Sequence, residues 1–103
     1  MEIAQNFMGP GAKATMQRIN ENGNVVGTII VNMEGFPETT TLDSLTAATY
    51  STHMRNLSHH SSNMLKEIDV TDDLMVVRLV SRKTEAVVVP DAEFHLIVVM
   101  RRT

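Results

Sequence analysis

No cysteine occurs anywhere in this chain. That removes disulfide staples and thiolate zinc sites, and it suits a reducing compartment. There is no tryptophan either, and four aromatic residues stand against eight methionines, so the core or an interface is built from adaptable aliphatic and thioether groups. Nine Lys and Arg against twelve Asp and Glu leave a formal charge of −3. A balance of that sign offers no electrostatic footprint for nucleic acid or an anionic membrane. No apolar run approaches the ~20 residues that span a bilayer. Residues 1–8 lack the basic start and apolar run of a signal peptide. The expectation is one soluble, cytoplasmic domain over residues 1–103, with residues 1–11 variable or partly disordered around Gly9-Pro10-Gly11.

What the chain does have is valine in short runs. From Leu74 to Met100 it reads LMVVRLV-SRKT-EAVVV-PDA-EFHLIVVM. β-Branched residues pack well on a pleated surface, so each apolar run is a strand. The two polar connections are short enough for hairpins, which makes the block an antiparallel meander. The near-continuous last run predicts a strand covered on both faces. Upstream, Val25–Val31 is a strand, Asn32–Gly35 a turn with Gly35 suited to positive φ, and Phe36–Thr41 a weaker strand. Pro37 lacks an N–H and belongs at a sheet edge. Ala12–Asn20 reads as a short helix with Ala12, Met16 and Ile19 on one face.

Thr46 to about Ile68 reads as a long helix, with Asp43 or Ser44 as its cap. At 100° per residue, Tyr50, Met54, Leu57, Ser61, Met64, Leu65 and Ile68 fall on one stripe. Small residues, Ala47, Ala48, Ser51, Ser58, Ser61 and Ser62, lie beside it. The predicted order is α-β-β-α-β-β-β, an α+β sandwich around a five-stranded antiparallel sheet. A helix with one apolar and one small-residue face needs two partners, and the run Leu74–Val80 is long and apolar for an unprotected sheet edge. A two-fold dimer answers both needs.

Nothing in the chain asks for catalysis. His53 and His60 lie beside the stripe, His59 projects to the opposite side, and no HExxH or cysteine partner completes a metal site. Asp69, Asp72 and Asp73 lack the spacing of a calcium loop and are explained by turn capping. There is no phosphate-binding loop, no GxSxG and no assignable Ser/His/Asp set. Arg82-Lys83 and Arg101-Arg102 read as solvated charges. No cofactor is expected.

The residues are nonetheless familiar in sequence. Val25-Val26-Gly27-Thr28-Ile29-Ile30-Val31-Asn32, Glu34-Gly35 and Thr41-Leu42-Asp43 resemble the roadblock-type dynein light chains. So do Tyr50, Met54, Leu57, Ile68-Asp69, Asp73-Leu74, Arg78-Leu79 and Ser81-Arg82-Lys83-Thr84-Glu85. Val88-Val89-Pro90-Asp91, Phe94 and Leu96-Ile97-Val98-Val99 complete a likeness that runs over residues 12–103. The resemblance implies a profilin-like or longin-like sandwich whose sheet continues across a homodimer. It implies a dimer interface of Tyr50, Met54, Leu57, Ser61 and Met64 with Leu74, Met75, Val76, Val77, Arg78 and Leu79. A buried charge at Met54 or Leu57 would then break the dimer. The implied function is non-catalytic: binding the dynein intermediate chain and helping assemble the cargo-binding base of a microtubule motor. Partnership with a paralogue in a heterodimer, or service as a platform for a Ras-like GTPase, is the alternative within the same fold. His59-His60-Ser61-Ser62-Asn63 and Gly9-Pro10-Gly11 depart from the family pattern and suggest a divergent paralogue.

Overall fold

The computed structural model describes residues 23–102, so the helix expected at Ala12–Asn20 lies outside the described residues. The described elements are β1 (Val25–Asn32), β2 (Pro37–Thr40), α1 (Ser44–Ile68), β3 (Val77–Val80), β4 (Thr84–Pro90) and β5 (Phe94–Arg101). All strand pairs are antiparallel, in the spatial order β2-β1-β5-β4-β3. Expected and observed spans agree closely, with one informative exception. The run expected from Leu74 forms a strand only from Val77. Val77 pairs with Val88, so extending the register would set Met75 opposite Pro90, which has no N–H to donate.

Alternation along the strands sorts the apolar side chains onto two faces. Ile29, Val31, Ala86, Val88, Ile97 and Val99 meet Ala47 and Met54 of α1 in the main core. Ile30, Leu96 and Val98 point the other way and form a second cluster with Val25, Val89, Phe94 and Met100 at its margin. Leu96, Ile97, Val98 and Val99 are consecutive and all buried, as the continuous apolar run requires. Among the described residues no helix lies on that second face.

The helix starts where Asp43 accepts a hydrogen bond from the Thr46 N–H at 3.0 Å, the expected N-cap geometry. It ends at Asp69, whose N–H bonds the Leu65 carbonyl at 2.8 Å. Its buried residues are Ala47, Ser51, Met54 and Ser58, at spacings of four, three and four. This stripe is rotated by roughly 60° from the predicted one through Tyr50, Met54, Leu57, Ser61, Met64, Leu65 and Ile68. The sheet has taken the small-residue face. Short side chains let the helix backbone approach the sheet closely, and the Ser51 hydroxyl is satisfied by donating to the Ala47 carbonyl at 2.6 Å.

One flank of the helix is pinned to the β1–β2 turn. Arg55 Nη2 donates to the Met33 carbonyl at 2.8 Å. Gly35 in that turn has φ +93°, so its backbone favours glycine, and any Cβ there would sit 2.9 Å from Arg55 Nη1 and make the guanidinium shift. Four residues on, the His59 ring stacks on His95 of β5 with centroids 5.7 Å apart. His59 thus lies on the helix side opposite Tyr50 and Leu57, exposed, with one face of its ring against His95.

Met54 is 3% exposed in the core. Met54→Ala should lower unfolding free energy by about 2–4 kcal/mol through lost contacts and a residual cavity. Urea denaturation followed by circular dichroism checks this. A midpoint equal to that of the unsubstituted protein would mean that the helix does not pack on the sheet this way.

Candidate functional site

With the small-residue stripe committed to the sheet, the flank of α1 away from Arg55 and His59 carries Tyr50, Leu57, Ser61, Met64 and Ile68. Tyr50 and Leu57 are half-buried and pack against the margin of the core. Beyond Ser58 no residue of the helix is buried. His59 already lies over His95, near the start of β5 and the end of β1. The last two turns and more of α1 therefore project past the end of the sheet. Met64 is 61% exposed and Ile68 76%. Residues 69–76 then return to the sheet edge, and Lys66 braces this return with a hydrogen bond to Asp73 at 2.8 Å and a longer one to the Val70 carbonyl at 3.3 Å. Both partners of the ion pair are solvated, so it is worth under about 1 kcal/mol.

Strand β3 forms the outer edge. Among the described residues it pairs with β4 alone, leaving its other row of backbone N–H and C=O groups without a strand partner there. Met75, Val76, Leu79 and Val80 are all exposed along this segment. Arg78 is held on its own sheet: its Nε donates to Glu85 of β4 at 2.7 Å. The opposite edge, β2, is also only four residues long and begins with Pro37, a device that blunts edge pairing. An apolar helix flank and an open apolar strand edge together expose Met64, Ile68, Met75, Val76, Leu79 and Val80.

The residues expected at a dimer contact divide accordingly. Met64, Met75, Val76 and Leu79 are exposed on this surface; Tyr50, Leu57, Ser61, Leu74 and Val77 are partly buried at its margin. Arg78 is exposed but already paired within its own chain. Met54 is a correction: it is a core residue of its own sheet and helix, because the stripe that faces the sheet runs through it. A charge at Met54 would unfold the chain rather than separate two copies. Ile68 and Val70 are exposed apolar residues that the sequence reading left out of the contact set.

Outside this surface, Asp43, Asp69 and His95 are the groups held away from their ordinary titration range. Among the described residues no three His, Asp or Glu side chains gather in a metal-binding arrangement, and no helix is long and apolar enough to cross a membrane. The Asp43 carboxyl is held below its usual range, chiefly by the Thr46 N–H. Asp69 is held below it by the Thr71 hydroxyl and N–H. Partial burial, with His59 and Arg55 facing it from α1, holds the His95 imidazole below its usual value.

The sign for His95 follows from linkage. A histidine whose folded-state pKa is depressed binds fewer protons folded than unfolded, so its contribution is fully present above the ordinary value of ~6.5 and is lost as pH falls from there through the lower folded-state value. The protein should be measurably less resistant to urea at about pH 5.5 than at about pH 7.5, and His95→Gln should flatten that dependence. Asp43 and Asp69 act in a separate window, below the ordinary carboxylate value of 3.8. An unchanged pH slope in His95→Gln would remove His95 as its source.

Residues 12–101 match the Roadblock/LC7 domain family. The fold is similar to that of a Roadblock/LC7 domain from Streptomyces avermitilis, with a TM-score of 0.76 at 13% identity, over 84% of this chain and 74% of that one. Roadblock/LC7 domains occur in dynein light chains and in regulators of small GTPases, commonly dimerise, and are generally non-catalytic. A match over nearly the whole chain, on an α+β fold with an open edge strand beside its long helix, places this protein in the Roadblock/LC7 domain family.

Proposed function

We propose that the protein is a non-catalytic dynein light chain that homodimerises and binds a segment of the dynein intermediate chain. In this reading β3 pairs with β3 of a second copy, so that two five-stranded sheets become one, and the outward flanks of the two α1 helices pack together. The observation that carries the reading is the set of exposed apolar side chains on the end of α1 (Met64, Ile68) and along the open β3 edge and its approach (Met75, Val76, Leu79, Val80). Burial of apolar area contributes about 25 cal/mol per Å², and pairing the edge satisfies its free backbone groups at the same step. The interface then comprises Tyr50, Leu57, Ser61 and Met64 with Leu74, Met75, Val76, Val77, Arg78 and Leu79.

A dimer presents two equivalent surfaces, which suits a complex that contains two intermediate chains. A disordered segment that orders on a preformed surface loses conformational entropy and gains contacts, the usual trade in such adaptors. The sequence likeness over Ser81–Asp91 favours the dynein reading over a platform for a Ras-like GTPase. Pairing with a paralogue instead of an identical copy uses the same surface. Association with microtubules would follow from membership of the motor complex.

Two measurements test this. Met64→Glu combined with Leu79→Glu should give a folded monomer by light scattering and circular dichroism, because both side chains are exposed in the single chain and would be buried between copies. A persistent dimer would place the interface elsewhere. Calorimetric titration of the dimer with an intermediate-chain segment should saturate at one segment per protomer. A dimer that ignores the segment and binds a Ras-like GTPase would transfer the function to the alternative class.

A further inference from the structure

A second surface owes nothing to the helix or to the β3 edge contact. The β3–β4 connection is tight: the Ser81 N–H donates to the Thr84 carbonyl at 2.8 Å, leaving Arg82 and Lys83 at the tip. Thr84 pairs with Arg101 at the end of β5. The Arg102 N–H donates to the Lys83 carbonyl at 2.9 Å and its guanidinium to the Ser81 carbonyl at 2.8 Å. The shift in register between Val25 and Gly27 turns Val26 outward beside them, 44% exposed. Together these residues line an open-mouthed cleft of about 420 Å³ bounded by Val26, Arg82, Lys83, Thr84, Arg101 and Arg102.

The charge is concentrated. Four of the nine Lys and Arg of the chain lie here, so the remaining five face all twelve Asp and Glu and the rest of the molecule carries −7. Among the described residues none of the four cleft cations has a carboxylate partner; the two ion pairs, Lys66–Asp73 and Arg78–Glu85, lie elsewhere. Arg102 is fixed by its bond to Ser81, whereas Arg82, Lys83 and Arg101 have no side-chain hydrogen bond among those residues. Like charges gathered at a hairpin tip and a strand end repel one another, and the arrangement is relieved by an anion. Val26 and the aliphatic stems of the long side chains give the cleft an apolar floor beneath a cationic rim.

We propose that this cleft is a docking site for an acidic peptide segment of a partner protein, one apolar side chain seated over Val26 and flanking carboxylates held by Arg82, Lys83, Arg101 and Arg102. A guanidinium binds a carboxylate through two parallel N–H donors, and three of the four cations are arginines. Nucleic acid is the less suitable ligand. The cleft has no aromatic side chain on which a base would stack, and the net charge of the whole chain is negative. The site stands whether or not the intermediate chain is the physiological partner, because it shares no residue with the dimer surface.

The test uses the full chain and a fluorescein-labelled peptide in which a single leucine is flanked by pairs of glutamates. Fluorescence anisotropy should show saturable binding at about 0.05 M salt that is largely lost at about 0.5 M, where the screening length falls to a few ångströms. The variant Arg82→Gln/Lys83→Gln/Arg101→Gln should bind about tenfold more weakly or worse, while Lys66→Gln, outside the cleft, binds as the unsubstituted protein does. Val26→Ser should weaken the leucine peptide but not one with serine in its place. All three substituted cations are exposed, and circular dichroism confirms folding; each single Gln variant provides a second reading. Equal affinity in the triple variant, or no binding at low salt, would overturn the proposal. Binding of inorganic phosphate without the peptide, or tighter binding of a single-stranded oligonucleotide, would overturn it in favour of that ligand.

Discussion

The contact on which the rest of this structure depends is the seating of a narrow helix face on a sheet of branched side chains. Ala47, Ser51, Met54 and Ser58 meet Ile29, Val31, Val88, Ile97 and Val99. Three of these four helix residues are small, so the helix backbone lies close to the sheet, and Met54 supplies most of the apolar volume from the helix side. The hydroxyl of Ser51, buried by this approach, is satisfied inside the helix itself. A bulkier stripe in the same place would lift the helix off the strands and open voids that the surrounding core could not fill.

That choice of face determines what is left for others. Turning the small residues inward directs Arg55 and His59 to one side, where they engage the β1–β2 turn and His95. It leaves the apolar flank from Tyr50 to Ile68 facing away from that turn. The helix is also longer than the sheet it covers, since its 25 residues span roughly 37 Å. Its excess length ends up beyond the strands, where Met64 and Ile68 stay exposed. A single packing decision thus creates both the fold's stability and its most exposed apolar surface.

The two distinctive surfaces differ in physical character and lie on different parts of the sheet. One is apolar and made by a projecting helix and an unpaired strand edge, which suits association with a matching surface. The other is cationic and made by a hairpin tip and a strand end. Separating them allows one protein to assemble with a copy of itself and still recognise a charged segment, a combination natural to an adaptor without catalytic machinery.

Much of the architecture was legible in the residues. Valine and isoleucine runs located the strands, Pro37 indicated an edge, Gly35 a left-handed turn and Asp43 a helix cap. Each of these rests on local steric or hydrogen-bonding preference, which needs no distant partner. Composition and spacing likewise exposed the shortage of metal and nucleophile motifs, and the likeness over residues 12–103 pointed to the family. Other features depended on distance in space rather than in sequence. Two stripes on α1 were both plausible, and only close approach to the sheet favoured the small one, which moved Met54 into the core and His59 onto His95. Pro90 shortened β3 only because the hairpin register set it opposite Met75. Arg82-Lys83 and Arg101-Arg102, eighteen residues apart along the chain, became one cleft because antiparallel pairing brought Thr84 beside Arg101. Local preference chose the elements; long-range register and packing decided which faces remained free.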